Sequence, residues 1–401
     1  MKLTLPSFFT SLFLSRLADQ MLLFVVPLVV FQATRSVAWS GFAFFVETLP
    51  RFLAFPVCGA LCDRHSPLRL LRVSQWLRAA ACIAGIAGNA AFSGVGWLIA
   101  LSAATGVLTT QGMMAREVMF PHILARDAFQ RGLAHAQAAD QAGAVLGPVL
   151  AVALLGWTRW EGAVAAAAVL FLAADLALAF WVRTGRVALP LPRQRAASVI
   201  GAVRTALLHV RDVPGLARLV ALAAGVNLVI GVTLASSAAL VTGLHQRGAA
   251  YYAGLQTAGA VATIVILLAV AHARLPLRAL GRTSYLLVCA GGVLTAVAPT
   301  HWIYAGGFLL VVGFDKMFNI FVRTSRQRII PVADFGKTTG VVIMLNNLTQ
   351  PLAGLLIGLA STPGQTTWVV LALSALMAAI GIAAAYRWPG FQAGSEADAA
   401  G

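Results

Sequence analysis

Twelve apolar stretches, separated by short polar breaks, follow one another along almost the whole chain. They lie near 7–31, 38–62, 69–91, 95–119, 131–155, 160–183, 215–243, 249–271, 277–299, 301–325, 335–361 and 366–387. Each is long enough to cross a hydrocarbon core, which needs about 20 helical residues. With 60% hydrophobic and 10% charged residues, the composition excludes an ordinary soluble protein. The sequence predicts an all-α membrane protein with twelve transmembrane helices.

Positive charge is concentrated in alternate breaks. The breaks after stretches 2, 4, 6, 8 and 10 hold most of the arginines, whereas the others hold only Arg35, Arg159 and Arg247. Because basic loops stay in the cytoplasm, both termini are predicted to be cytoplasmic. The formal charge of +16 is explained in this way without nucleic-acid binding. The large excess of arginine over lysine, together with abundant alanine, indicates a GC-rich bacterial genome and therefore a bacterial inner membrane.

A long basic segment divides the twelve stretches into two groups of six. This pattern predicts two pseudo-symmetric six-helix bundles related by an axis along the membrane normal. The predicted bundles are 1–183 and 215–387, with a cytoplasmic linker at 184–214 and a disordered cytoplasmic tail at 388–401. Arg116 and Pro121 precede stretch 5 with the same spacing as Arg326 and Pro331 before stretch 11, which favours an internal duplication.

Two glycine-containing motifs are placed at the end of stretch 2 and inside stretch 5. The first reads Gly59-Ala-Leu-Cys-Asp63-Arg64, and the second reads Gly143-Ala-Val-Leu-Gly147-Pro148. The first resembles the signature loop of the major facilitator superfamily, Gly-x-Leu-x-Asp-Arg-x-Gly-Arg-Arg, but departs from it at 66–68. The second resembles the Gly-x-x-x-Gly-Pro motif of the drug and siderophore exporters in that superfamily, which are proton antiporters.

The resemblance implies a transporter that works by alternating access. It implies that Asp63, with Gly59 and Arg64, forms a cytoplasmic gate in which the carboxylate accepts hydrogen bonds from the start of stretch 11, near 336–340. It also implies that Gly143 and Gly147 let the fifth helix pack closely against a neighbour, and that Pro148 bends this helix.

Charged residues inside the predicted spans are candidates for function, since each costs at least about 2.5–3.5 kcal/mol on insertion scales. Asp19, Asp315 and Glu47 are the candidates for the group that binds and releases the coupling proton. A structural alternative stays open for all three. Arg16–Asp19 and Glu47–Arg51 are spaced to form ion pairs on one helix, and Asp315 is adjacent to Lys316.

Further polar residues are predicted to line the substrate cavity. They are Arg16, Gln20, Arg51, Gln111, Gln137, Asp140, Asn227, Gln256, Lys316, Asn319, Asn346, Asn347 and Gln350. Such a set suits a polar, partly anionic small molecule. The favoured function is therefore siderophore export, with the proton gradient as energy source and with the small-molecule substrate and the bilayer as the partners of a monomer.

Other kinds of transporter of the same fold stay open. Asp19-Gln20 and Asp140-Gln141 are faintly similar to ferroportin-type divalent-metal exporters, although only His135 lies inside a span near a carboxylate. A multidrug or lysophospholipid transporter is also possible. An enzyme is not expected, because the chain shows no nucleophile–base pair and no phosphate-binding loop. No catalytic residue, metal site or cofactor is predicted.

Overall fold

The computed structural model describes residues 5–34, 37–92, 96–124, 129–185, 199–273, 275–358 and 363–386, and almost all of these residues are helical. The helices are α1 (Leu5–Thr34), α2 (Val37–Arg64), α3 (Pro67–Phe92), α4 (Gly96–Ile123), α5 (Phe129–Trp157), α6 (Trp160–Gly185), α7 (Val199–Asp212), α8 (Leu216–Ala239), α9 (Ala249–His272), α10 (Leu277–Val297), α11 (His301–Ile329), α12 (Phe335–Asn347), α13 (Thr349–Gly358) and α14 (Pro363–Tyr386). The predicted all-α class is confirmed.

Every predicted apolar stretch contains helix. Within the described residues, eight helices are long and apolar enough to cross a membrane, namely α1, α5, α6, α8, α9, α10, α11 and α14. The remaining stretches correspond to α2, α3, α4 and the pair α12–α13. The short helix α7 falls inside the segment predicted to be a linker.

Stretch 11 is not one continuous helix, because a turn at Leu348 separates α12 from α13. Pro351 follows three residues later. Proline has no backbone N–H to donate to the carbonyl four residues earlier, and its ring clashes with that carbonyl. That carbonyl belongs to Asn347, the last residue of α12. The helix is therefore interrupted at the place where this hydrogen bond would lie.

The helices group into two compact units. The first contains 1–208 together with 331–344, and the second contains 209–330 together with 345–401. In the first unit, α1 packs against α5 and α6, α3 packs against α4 and α6, and α2 packs against α4. In the second unit, α10 packs against α11 and α14, α9 against α11, and α8 against α13.

Two glycines of α5 set its distance from α1. A Cβ atom at Gly147 would lie 2.5 Å from Gln20 Cβ and 3.0 Å from the carbonyl oxygen of Leu17. A Cβ atom at Gly143 would lie 2.9 Å from the carbonyl oxygen of Phe13. Because backbone atoms cannot move aside as a flexible side chain can, α5 approaches α1 this closely only with glycine at both positions.

Gly147→Ala is expected to lower the unfolding temperature of the purified protein, since overpacking a tight contact costs about 1–3 kcal/mol. Gly156→Ala is the matched control, because a Cβ atom at Gly156 in the same helix meets nothing within 4 Å. Differential scanning fluorimetry in detergent measures both. Equal unfolding temperatures for the two variants would contradict this account of the α1–α5 contact.

Candidate functional site

A buried ion pair joins three helices in the core of the first unit. Arg78 Nη1 on α3 donates to both carboxylate oxygens of Asp19 on α1, at 2.9 and 3.1 Å. Thr109 Oγ1 on α4 donates to Asp19 Oδ1 at 2.7 Å. The side chains of Asp19 and Arg78 are only 2% and 1% exposed. Protonating or removing this carboxylate would therefore leave a buried guanidinium without its counter-charge.

Arg78 has partners for its other groups as well. Its Nε donates to the carbonyl oxygen of Ser74 at 3.1 Å, and its Nη2 donates to Gln75 Oε1 at 2.7 Å. The guanidinium lies 4.4 Å from the centre of the Phe171 ring on α6, which is within the range of a cation–π contact. Arg78 therefore connects α3 to α1 and α6 at the depth of Asp19.

Arg78 is absent from the residues predicted above, although an arginine inside an apolar stretch is the same signal that identifies Asp19. Arg16, which the i, i+3 spacing predicts as the alternative partner of Asp19, contacts Asp140 of α5 instead. The predicted Arg16–Asp19 pair is therefore corrected to Arg78–Asp19. The physical reason is that a hydrogen-bonded guanidinium from α3 already occupies both oxygens of Asp19.

Arg16, Arg116 and Asp140 form a second group of charges, which we call the charged triad. Asp140 Oδ2 lies 4.0 Å from Arg16 Nε, and Asp140 Oδ1 lies 3.8 Å from Arg116 Nη1. These distances are too long for hydrogen bonds. Arg16 Nε and Asp140 Oδ1 are buried atoms without a hydrogen-bond partner among the described residues. The side chain of Asp140 is 39% exposed, whereas those of Arg16 and Arg116 are 23% and 9% exposed, so the triad is weakly paired and is accessible mainly at its carboxylate.

The charged triad and the buried pair influence each other. Arg116 interacts electrostatically with Asp140, Arg78, Asp19 and Arg16. Three arginines thus face two aspartates, which leaves one positive charge in excess. In surroundings of low dielectric constant such an excess attracts an anion.

Asp175 on α6 forms a fully hydrogen-bonded ion pair in the same unit. Arg72 Nε and Nη2 donate to its two oxygens at 2.8 and 2.9 Å, and Trp76 Nε1 donates at 3.1 Å. The Asp175 side chain is 3% exposed, whereas that of Arg72 is 44% exposed. Compared with this pair, the contacts in the charged triad are about 1 Å longer.

The other predicted residues of the first unit are placed as follows. Gln111 Nε2 donates to Cys62 Sγ at 3.4 Å, and Gln137 is buried. The carbonyl oxygen of Arg51 accepts a hydrogen bond from Thr110 Oγ1 at 3.1 Å, and Gln20 packs against Gly147. The side chains of Glu47 and Gln350 lie outside the described residues.

In the second unit the predicted residues do not converge on one site. Lys316 Nζ donates to Asp315 Oδ2 at 2.5 Å. Asn227 Nδ2 donates to the carbonyl oxygen of Asn346 at 3.3 Å, and Gln256 Nε2 donates to Tyr252 OH at 2.8 Å. The remaining predicted residues, both half-buried, are Asn319 and Asn347.

Asp63 forms the hydrogen bonds that the signature loop implies. Its Oδ1 accepts from the N–H of Gly336 at 2.9 Å, and its Oδ2 accepts from the N–H of Lys337 at 2.8 Å. Both donors belong to the first turn of α12, whose free N–H groups and helix dipole favour an anion. A Cβ atom at Gly59 would overlap the carbonyl of Gly336, so glycine is required for this approach. One atom of Arg64, Nη2, is buried without a hydrogen-bond partner among the described residues.

Burial raises the pKa of Asp63, just beyond the second apolar stretch, from 3.8 to about 6. The N–H groups of Lys337 and Gly336 and the charge of Lys337 act in the opposite direction, while Asp334 adds to the rise. The hydrogen bonds from α12 lower the pKa of Asp63 and therefore hold the carboxylate in preference to the neutral acid. The contact is expected to be strongest above about pH 6 and to weaken as the pH falls through this value.

Asp19→Asn is expected to destabilise the protein strongly, because breaking a buried ion pair from one side costs about 3–5 kcal/mol. The double variant Asp19→Asn/Arg78→Gln is expected to recover part of this loss. Asp175→Asn is the control and should cost less, since its partner Arg72 is half-exposed. Unfolding by SDS measures all four proteins. Wild-type stability for Asp19→Asn would contradict the role assigned to this pair.

Asp63→Asn is expected to abolish the pH dependence of the contact at the start of α12. Hydrogen exchange of the Gly336 and Lys337 amides, corrected for the intrinsic rate, should show more protection at pH 7.5 than at pH 5 in the wild type, because the ionised carboxylate accepts both hydrogen bonds. The variant should show the same protection at both values. A pH dependence that persists in Asp63→Asn would assign the titration to another group.

Comparison with known proteins agrees with this architecture. The model of the Major Facilitator Superfamily matches residues 8–322. A bacterial homologue of the iron transporter ferroportin, in the outward-facing state with soaked iron, is 17% identical with a TM-score of 0.75, over 95% of this chain and 99% of that one. The human organic anion transporter MFSD10 (TETRAN) is 16% identical with a TM-score of 0.73, over 94% and 98%.

A third solved structure, the E. coli fucose:proton symporter FucP, is 13% identical with a TM-score of 0.67, over 94% of this chain and 98% of that one. At these identities the three structures show a common fold and not a common substrate. No curated protein sequence matches the chain. Because the family model covers well over half of its length, the chain belongs to the Major Facilitator Superfamily and is a multi-pass membrane transporter.

Proposed function

We propose that this transporter exports a small organic anion by alternating access, and that a siderophore is the first class of substrate to test. One observation carries the proposal, namely the charged triad, whose ion pairs are long and whose carboxylate is 39% exposed. In the triad, two guanidinium groups share a single carboxylate without a hydrogen bond to it.

An anionic group can satisfy the two arginines better than Asp140 does. Charge-assisted N–H···O hydrogen bonds are normally about 2.7–2.9 Å long, whereas Asp140 lies 3.8 and 4.0 Å from Arg116 and Arg16. A carboxylate or catecholate oxygen of the substrate could reach both guanidinium groups. The excess positive charge of this region supports the same substrate class, as does the similarity of fold to a protein described as an organic anion transporter.

Asp140 and the substrate anion compete for the same arginines. Loss of the Asp140 charge would leave both guanidinium groups to the anion. An inside-negative membrane potential favours exit of the anion by about 2.3 kcal/mol per charge per 100 mV. An anion with two charges would therefore be driven out of the cell more strongly than an anion with one.

The contacts favour a structural role for Asp19 over proton transfer. A proton on Asp19 would leave the buried Arg78 without the counter-charge to which it donates two hydrogen bonds. Asp315 is proposed as the group that couples transport to the proton gradient, since its ion pair among the described residues is with the adjacent, half-exposed Lys316.

A divalent-metal exporter is the second candidate, because a ferroportin homologue shares the fold. The geometry around Asp19 argues against it. Both oxygens of Asp19 are engaged by Arg78 and Thr109, and no group of three potential metal ligands occurs within the described residues.

Arg16→Gln and Arg116→Gln are each expected to weaken transport of citrate and 2,3-dihydroxybenzoate. A lost hydrogen bond to a charged group is worth about 1.5–3 kcal/mol, which corresponds to about 10- to 100-fold in affinity. Flux of the labelled anions from proteoliposomes with an imposed membrane potential measures this.

Arg159→Gln is the matched control. This substitution also removes one positive charge, but the side chain of Arg159 is 86% exposed. The variant should therefore transport the anions as fast as the wild type. A cationic dye and Co²⁺ are included as alternative substrates. Wild-type anion transport in both triad variants, or transport of Co²⁺ without any anion, would contradict the proposal.

A further inference from the structure

The helix α7 exposes large apolar side chains and buries small ones. Ile200, Leu207 and Leu208 are 82%, 48% and 44% exposed, whereas Ala202 and Ala206 are 6% and 0% exposed. The helical period of 3.6 residues places the three exposed side chains on one side of the helix. This arrangement is the reverse of a helix that packs its apolar side onto a protein core and faces water with the other.

Two exposed arginines lie on the same side as the apolar residues. Arg204 and Arg211 fall between Ile200, Leu207 and Leu208 around the helix axis, and both are exposed. We call these five residues the α7 stripe. Large apolar side chains interspersed with arginines are typical of helices that lie in the interface of a bilayer, with the charged ends reaching the headgroups.

The end of α7 is held close to the start of a spanning helix. Val213 N donates to the carbonyl oxygen of His209 at 2.9 Å, and Leu216 N donates to that of Val213 at 3.1 Å. Gly215 has φ 83°, the left-handed conformation that permits this turn. The next helix, α8, is among those apolar enough to cross the membrane. Three residues between the helices span at most roughly 14 Å, so α7 ends at the level where α8 enters the bilayer.

We propose that α7 lies in the headgroup region of the bilayer and that its stripe binds anionic lipid. Ile200, Leu207 and Leu208 enter the acyl boundary, while Arg204 and Arg211 contact lipid phosphates. Each arginine near an anionic surface contributes about fivefold in affinity. The charge pattern of the sequence predicts that this end of the protein faces the cytoplasmic leaflet. The inference is independent of the transported substrate.

The test is the accessibility of a nitroxide attached to α7 of the full-length protein in nanodiscs. The four native cysteines are buried, so a single introduced cysteine can be labelled selectively. Leu207→Cys lies on the stripe, and Thr205→Cys lies about 160° away around the helix. Oxygen, which partitions into lipid, and a water-soluble nickel chelate serve as the two relaxation agents.

With phosphatidylglycerol in the nanodisc, the label at 207 should be accessible to oxygen and shielded from nickel, and the label at 205 should show a lower ratio of oxygen to nickel accessibility. This contrast should decrease in pure phosphatidylcholine and in the double variant Arg204→Gln/Arg211→Gln. Equal nickel accessibility at both positions would overturn the proposal by placing the stripe in water. Shielding of the label at 207 from both agents would overturn the proposal, because it would show that the stripe contacts protein. The same difference between 207 and 205 in pure phosphatidylcholine would overturn the assignment of anionic lipid as the ligand.

Discussion

The arrangement of the first unit depends on the rule that a charge buried in apolar surroundings needs a counter-charge. Asp19 and Arg78 satisfy this rule with two hydrogen bonds, and Thr109 donates a third hydrogen bond to the carboxylate of Asp19. This pair holds α1, α3 and α4 together at one depth. Because Arg16 is on the same helix as Asp19, the pair also fixes the helix that carries one arginine of the charged triad.

The first unit contains two kinds of ion pair, those with direct hydrogen bonds and those without, and the proposed site for substrate is formed by the second kind. The pairs Asp19–Arg78 and Asp175–Arg72 are satisfied within the protein and join neighbouring helices. The contacts of Asp140 are about 1 Å longer, and this carboxylate is partly exposed. A ligand that displaces Asp140 from its arginines breaks no hydrogen bond between them. A ligand that displaced Asp19 or Asp175 would break several. Substrate recognition is therefore expected at the charged triad.

Much of the fold, but little of the site, could be predicted from the sequence. The spans follow from hydropathy, because the bilayer fixes their length, and the contact of Asp63 follows from a motif with fixed spacing. The partner of Asp19 comes from a residue 59 positions away, and helical periodicity carries no information about contacts between helices. The helix α7 escaped prediction because its 14 residues are too few to span a bilayer and because it follows a segment that contains several arginines and prolines.

The most direct test of competition at the charged triad is the affinity of Asp140→Asn for a permanently charged anion. A catechol disulfonate serves, because its sulfonates stay ionised, and calorimetry at pH 7 measures its binding to the variant and to the wild type. The variant is expected to bind the anion more tightly than the wild type, because the carboxylate that competes for Arg16 and Arg116 is absent. Equal or weaker binding by the variant would contradict competition between Asp140 and the substrate.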